Sequence, residues 1–245
     1  MGNPCPGSTA MALRTLFLAL GCLMIVTLFY TISVDGLPFR MDLLTPWMAA
    51  TLVDFYVNTA PFVAWISYKE ANFFGATIWI ILLICFGSIT TGTYIFIQFL
   101  KLSPQESSQD PLYHVLLQHE AKYGLEQKQK TSAVVTARII FIVLGCLMLG
   151  TLIFTLLTDG SPFRIELLTP WMVATLVDFY INVVALLVWV AYKESSLIIA
   201  LIWIILLICF GSITTCVYII IQLLQLTSQD PLYLVLLNGS NRKQI

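Results

Sequence analysis

The chain has 245 residues, of which 59% are hydrophobic and only 10% are charged, and its formal net charge at pH 7 is -1. Soluble domains carry about 25% charged residues, so this composition predicts a protein whose surface is partly solvated by lipid. The near-neutral charge excludes a strongly basic nucleic-acid-binding protein, whose affinity needs clustered Lys and Arg. We therefore expect membrane lipids among its partners and no nucleic acid.

From its first apolar run onward, the chain is organised as a duplication. Residues 14–100 and 138–224 align without a gap at an offset of 124, and 53 of these 87 positions are identical. Such self-similarity indicates an internal repeat. The motif QDPLYHVLL at 109–117 recurs as QDPLYLVLL at 229–237. The predicted organisation is an N-terminal tail 1–13, a first repeat 14–118, a polar linker 119–137, a second repeat 138–237 and a C-terminal tail 238–245.

Each repeat contains three apolar runs. Each run is long enough to cross a hydrocarbon core of about 30 Å, which needs about 20 helical residues. The runs must be helices, because an isolated strand would leave backbone groups unpaired in lipid. They comprise residues 15–34, 47–68 and 73–100 in the first repeat and 139–158, 171–192 and 197–224 in the second.

Two cap signals mark helix starts in the first repeat. Thr45 and Pro46 precede the second apolar run and supply a helix cap and a first helical residue. Asp110 and Pro111 do the same for a short apolar segment, 112–117, which is too short to cross a membrane. We expect a short interfacial helix of this kind after each repeat.

Three crossings per repeat is an odd number, so the second repeat would enter the membrane from the opposite side. The sequence therefore predicts an all-α membrane protein with six transmembrane helices as two inverted three-helix repeats, an architecture that many transporters share. On this topology the face with the linker carries seven Lys and Arg residues and the face with the termini carries five. Because Lys and Arg are more frequent on the cytoplasmic side, this difference weakly favours a cytoplasmic linker. A glycosylation sequon at Asn238 agrees with luminal termini.

The second helix of each repeat carries an Asp and, four residues later, an Asn, which therefore share one helix face. An ionised Asp inside a bilayer costs roughly 2.5–3.5 kcal/mol, so it needs protein or water around it and a partner. The predicted intramembrane polar site comprises Asp54, Tyr56, Asn58, Asp178, Tyr180 and Asn182.

Two interpretations of this polar site stay open. The paired carboxylates could relay protons or a cation between the two faces. Alternatively, each Asp could form a buried ion pair with an arginine of the preceding loop, Arg40 or Arg164, while the Asn side chains form interhelical hydrogen bonds.

The third apolar run of each repeat carries a stripe of small and polar residues at helical spacing. These residues favour close helix packing, with hydroxyl groups bonding across helices, or alternatively the lining of a central cavity. The stripe comprises Gly87, Thr90, Thr91, Tyr94 and Gln98, matched by Gly211, Thr214, Thr215, Tyr218 and Gln222.

No pattern in the sequence is typical of an enzyme. His114 and His119 are five residues apart, which is poor geometry for a metal site on one helix, and the six cysteines show no paired ligand spacing. We find no phosphate-binding loop and no nucleophile elbow. We therefore expect no enzyme, no cofactor and no metal.

Two functions are the main candidates for the sequence, and a membrane enzyme that uses Asp54 or Asp178 with Tyr56 is a third alternative. The first is a small secondary transporter or channel for a proton, cation or small solute. The second is a non-catalytic scaffold or assembly factor that binds other membrane proteins, in a homo- or hetero-oligomer.

The duplicated block PFRMDLLTPWMAATLVDFYVN and the QDPLY tails resemble a plant family of small multi-pass membrane proteins of unknown function. Single repeats are also similar to short bacterial membrane proteins. The resemblance covers nearly the whole chain and implies a multi-pass integral membrane protein. It implies no activity and no site residues, and it leaves the organelle open.

Overall fold

The computed structural model describes residues 6–117, 133–227 and 230–237, and these ranges are helical with no strand. Asn238, His119 and most of the predicted linker lie outside the described residues. Short 3-10 turns cover Met41–Leu43, Ile165–Leu167 and Leu232–Leu236. The α-helices are α1 (Pro6–Asp35), α2 (Pro46–Lys69), α3 (Phe73–Phe86), α4 (Ser88–Leu100), α5 (Pro104–Gln109), α6 (Pro111–Leu116), α7 (Ala133–Asp159), α8 (Pro170–Lys193) and α9 (Leu197–Leu224).

The helix starts agree with the predicted caps but not with all predicted boundaries. The Thr45 hydroxyl accepts a hydrogen bond from the Met48 amide at 3.2 Å, and the Asp110 carboxylate accepts one from the Tyr113 amide at 3.1 Å. Both caps are therefore confirmed. Residues 6–13, predicted as a tail, are helical because α1 already begins at Pro6. Residues 133–137, predicted as linker, are the start of α7.

Among the described residues, four helices are long and apolar enough to cross a membrane. They are Ser8–Asp35 within α1, and α7, α8 and α9. α2 has the same length as α8, 24 residues, but it is less apolar because Thr59 and Pro61 replace Val183 and Ala185. These helices are compatible with an integral membrane protein.

The third apolar run of the first repeat folds back on itself. Gly87 separates α3 from α4 with φ 53° and ψ -127°, a conformation that L side chains rarely adopt. The Thr90 hydroxyl donates to the Leu82 carbonyl at 2.9 Å, although eight residues of straight helix would span about 12 Å. The rings of Trp79 and Tyr94 lie 5.0 Å apart. We call α3 and α4 together the first hairpin.

α9 has the same doubled-back shape. Gly211 has φ 52° and ψ -128°, and Thr214 donates to the Leu206 carbonyl at 2.9 Å. The rings of Trp203 and Tyr218 lie 5.0 Å apart, whereas a straight helix would separate these residues by about 22 Å. We call α9 the second hairpin, with a first leg of 197–210, a tip at Gly211 and a second leg of 212–224.

The two hairpins do not support the prediction of three crossings per repeat. One leg of about 14 residues reaches only about 20 Å, short of the roughly 30 Å hydrocarbon core. Each hairpin also ends beside the start of its own repeat: Arg14 donates to the Phe99 carbonyl at 2.7 Å, and Arg138 donates to the Leu226 carbonyl at 2.7 Å. Six crossings and an inverted arrangement of the repeats are therefore not confirmed.

The chain divides into two compact units, residues 1–25 with 61–127 and residues 26–60 with 128–245. In the first unit α1 packs closely on α4, because a Cβ atom added at Gly92 would lie 3.1 Å from the Phe17 carbonyl oxygen. In the second unit α7 packs on α9 at the matching level, where a Cβ at Gly145 would lie 3.2 Å from the Cys216 Cβ. Small residues therefore set both helix contacts.

We expect the hairpin shape to be measurable by spin labels at its two ends. In a variant without native cysteines, labels at Phe73→Cys and Leu100→Cys should lie about 10–20 Å apart, because packed helices have interaxial distances of about 8–10 Å. Both side chains are exposed. Double electron–electron resonance measures this distance, and the matched pair at Leu197 and Leu224 repeats it for the second hairpin. A straight helix would give about 40 Å, which would contradict the hairpin.

Candidate functional site

The carboxylate of Asp54 lies at the tip of the second hairpin. α2 carries this side chain to Ser212, whose backbone amide donates to Asp54 Oδ1 at 2.9 Å and whose hydroxyl donates to the same oxygen. A Cβ atom at Gly211 would lie only 2.6 Å from Asp54 Oδ2 and 2.8 Å from the Phe179 ring. Both the positive φ and this close approach therefore require glycine at the tip.

Burial of the Asp54 carboxylate costs free energy, and the helix end beside it offsets part of that cost. The second leg begins at Ser212, and the first amide groups of a helix have no partners within the helix. The aligned peptide dipoles place partial positive charge at this end, so a carboxylate there is stabilised. Asp54 is half-buried, which strengthens the interaction relative to a fully solvated cap. Asp54 thus acts as an N-terminal cap supplied by a different helix.

Asn58 extends this contact by one helical turn. It is fully buried, and its Oδ1 accepts a hydrogen bond from the Thr215 hydroxyl at 2.7 Å. Its Nδ2 atom has no hydrogen-bond partner in the described structure. The prediction that Asp54 and Asn58 share one face is confirmed, and that face lies against the first turn of the second leg.

The corresponding asparagine of α8 has fewer hydrogen-bond partners than Asn58. Asn182 is fully buried, and neither its Nδ2 nor its Oδ1 has a hydrogen-bond partner among the described residues. Asp178 is half-buried and has a polar interaction of its own. Phe179 packs in an apolar cluster with Phe55 and Tyr218. α8 therefore contributes a buried amide with unused hydrogen-bonding capacity.

The two predicted tyrosines lie off the Asp/Asn face. Tyr56 and Tyr180 are both exposed. The Tyr180 hydroxyl donates to the Ile208 carbonyl at 3.3 Å, near the end of the first leg. Tyr180 also lies close enough to Asp54 to interact with its charge.

The loop arginines pair with carboxylates other than the helix aspartates considered from the sequence. Arg40 pairs with Asp35 at 2.6 Å, and Arg164 pairs with Asp159 at 2.7 Å. Each arginine pairs with the carboxylate at the end of the preceding helix, five residues earlier in the chain. Asp54 and Asp178 lie farther along the chain from these arginines. Ser212, and not Arg40, satisfies the Asp54 carboxylate.

The tyrosine and glutamine of each polar stripe lie at the base of the hairpin. In the first unit the Glu70 carboxylate accepts hydrogen bonds from the Tyr94 hydroxyl at 2.8 Å and the Gln98 amide at 3.3 Å. In the second unit Glu194 accepts the same pair from Tyr218 at 2.8 Å and Gln222 at 3.4 Å. These glutamates tie the start of each hairpin to its returning leg.

The threonines of the stripe lie nearer the hairpin tips. Thr215 pairs with Asn58, whereas Thr91 is buried and its hydroxyl has no hydrogen-bond partner in the described structure. The stripe is thus divided along the hairpin between contacts at the tip and contacts at the base.

Sequence analysis missed two glutamates and two lysines at the bases of the hairpins. Lys69 donates to the His114 carbonyl at 3.1 Å and to the Leu117 carbonyl. Lys193 donates to the Leu237 carbonyl at 2.9 Å. These cations hold the ends of the QDPLY segments. The available signal was the Tyr-Lys-Glu triplet, which both repeats carry at equivalent positions.

Comparison with known families identifies one match. The family described as "Protein of unknown function (DUF1475)" matches residues 7–243. No curated protein and no solved structure matches the chain.

We expect Gly211→Ala to lower the stability of the protein in detergent. The new Cβ would meet Asp54 and Phe179 below 3.0 Å, and the positive φ alone costs an L residue about 1–2 kcal/mol. Gly150→Ala is the matched control, since a Cβ there meets nothing within 4 Å and Ala favours helix. Thermal unfolding midpoints measure both variants. Equal midpoints for the two variants would show that the tip does not require glycine.

Proposed function

This chain belongs to the DUF1475 family of proteins of unknown function, and we propose that it is a small secondary transporter or channel for protons or a small cation. The observation that carries the proposal is the Asp54 carboxylate on the N-terminus of the second leg. The second hairpin is then the element that moves when Asp54 gains or loses a proton.

Broken helices support a transport role. Backbone that is not helical is tolerated at membrane depth only where it is buried in protein or lines a water-filled cavity. Transporters commonly use the ends of such discontinuous helices to bind ions and anionic groups. The positive-φ glycines at Gly87 and Gly211 interrupt apolar segments in the same way.

Protonation of Asp54 would act as a switch on the hairpin tip. The ionised carboxylate interacts favourably with the positive end of the second leg, by up to about 2 kcal/mol in partly buried geometries. Protonation removes most of that interaction. A free-energy change of about 1.4 kcal/mol alters an equilibrium constant tenfold. Loss of about 2 kcal/mol would therefore change the equilibrium between a hairpin tip bound to Asp54 and an unbound tip by roughly 30-fold. This is enough to couple proton binding to movement.

For the topology we propose four crossing helices, α1, α2, α7 and α8, with both hairpins entering and leaving on one side. The two repeats then have the same orientation. Contacts at the starts of α2 and α8 support this arrangement: the Trp171 indole donates to the Gly36 carbonyl at 3.2 Å, and Thr175 lies 3.9 Å from the Met48 sulfur. Inverted repeats would put Gly36 and Trp171 on opposite faces, about 30 Å apart.

The distribution of cations agrees with two crossings per repeat. Of the seven Lys and Arg residues in the described ranges, only Arg40 and Arg164 belong to the face of the α1–α2 and α7–α8 loops. The proposed topology puts the other five on the opposite face. Such an excess marks the cytoplasmic side, so we propose cytoplasmic termini. The five are Arg14, Lys69, Lys101, Arg138 and Lys193.

Single cysteines in sealed vesicles test this topology. We expect a membrane-impermeant maleimide to label Ser240→Cys from the same side as Gln105→Cys, and Ser161→Cys from the other side, because an even number of crossings separates residue 105 from residue 240. The background lacks native cysteines. If Ser240→Cys were labelled together with Ser161→Cys, an odd number of crossings would be required and the proposed topology would be rejected.

Proton flux into proteoliposomes tests the transport role. We expect the wild-type protein to collapse an imposed pH gradient faster than protein-free vesicles, as measured by an entrapped pH-sensitive dye with valinomycin-clamped potential. Asp54→Asn should reduce this flux at least tenfold, since Asn still caps a helix but cannot bind the proton. Asp42→Asn is the matched control, because Asp42 is an exposed carboxylate in the α1–α2 loop, and it should keep wild-type flux.

The alternative is a scaffold that does not transport. The Asp54–Ser212 hydrogen bonds are the observation that favours it, because a helix cap with no role in transport would make the same bonds. Wild-type flux equal to that of protein-free vesicles would reject the transport proposal and favour the scaffold. Full flux in a folded Asp54→Asn variant would reject the role of Asp54.

A further inference from the structure

The loops that follow α1 and α7 present large apolar side chains to their surroundings. Phe39 and Met41 are 91% and 88% exposed, and Phe163 and Ile165 are 94% and 87% exposed. The motif Pro-Phe-Arg recurs in both loops. Apolar side chains of this size cluster on a protein surface mainly at interaction sites. We call Phe39, Met41, Phe163 and Ile165 the loop tips.

The arginine of each loop is paired with a nearby carboxylate. Arg40 lies 2.6 Å from Asp35 and 4.0 Å from Asp42, and Arg164 lies 2.7 Å from Asp159. The arginines therefore fold back toward the helix ends. The 3-10 turns Met41–Leu43 and Ile165–Leu167 hold the apolar residues beside them at the surface.

Both loops lie at the same end of the helices. The Trp171 indole, at the start of α8, donates to the Gly36 carbonyl at the end of α1. Each loop directly joins two helices that we assign as membrane crossings, so the loop tips lie where the helices leave the hydrocarbon core. Apolar and aromatic side chains at that depth are stabilised by the headgroup and acyl boundary.

We propose that the loop tips are a lipid-binding surface that inserts into the membrane interface on the non-cytoplasmic side. The surface is continuous with the lipid-facing helices, and its arginines are already paired with carboxylates. Its partner is therefore the neutral phospholipid bilayer and not an acidic protein surface. Two apolar side chains in each loop would fix the depth of the ends of α1, α2, α7 and α8.

Spin-label accessibility in phosphatidylcholine vesicles tests the proposal. Labels at Phe39→Cys and Phe163→Cys, in a background without native cysteines, should be relaxed more strongly by oxygen, which concentrates in hydrocarbon, than by a water-soluble nickel chelate. Asp42→Cys is the matched control from the same loop, since the Asp42 side chain is 70% exposed. We expect the nickel chelate to relax the label at residue 42 at least three times as strongly as the labels at residues 39 and 163.

Two results would overturn the lipid-binding surface. Equal nickel accessibility at positions 39, 42 and 163 would place the loops in water. Labels at 39 and 163 that neither reagent reaches would instead mean that protein, such as a second copy of this chain, covers the surface. Neither result depends on whether the protein transports protons.

Discussion

Helix ends away from bulk water need partners, and this constraint determines how the hairpins are held. Each end of an α-helix leaves up to four backbone groups without a partner in the helix. At the N-terminal end of the second leg, the Asp54 carboxylate accepts from Ser212. At the C-terminal ends, Arg14 binds the Phe99 carbonyl and Arg138 binds the Leu226 carbonyl. The anion lies at the positive end of its helix and the cations at the negative ends, as the helix dipole requires.

These caps come from distant parts of the sequence. Asp54 belongs to the first repeat, yet it holds the hairpin of the second repeat, 158 residues away. The second hairpin therefore depends on α2 for its tip, although its base is held locally by Glu194. A cap that another helix supplies can be released by a change in charge without breaking the chain's own helical hydrogen bonds.

The sequence could not reveal the hairpins, because hydropathy measures length and apolar character but not direction. Gly87 and Gly211 lie within nearly uninterrupted apolar runs, and glycine alone does not end such a run. Only the positive φ values and the close rings of Trp79 and Tyr94 identify the reversal. The pairing of the loop arginines follows from distance along the chain. Asp35 and Asp159 lie closer along the chain to Arg40 and Arg164 than the helix aspartates do.

The sequence by itself determined the membrane-compatible composition, the duplication, the caps at Thr45 and Asp110, and the shared face of Asp54 and Asn58. All of these follow from local chemistry and helical periodicity. Only the tertiary structure decided which helix the Asp54 and Asn58 face of α2 contacts. It also decided that the third apolar run of each repeat turns back and ends beside the start of its repeat. Those outcomes depend on contacts such as Asp54 with Ser212. Residues far apart in the chain form these contacts, and no local pattern in the sequence specifies them.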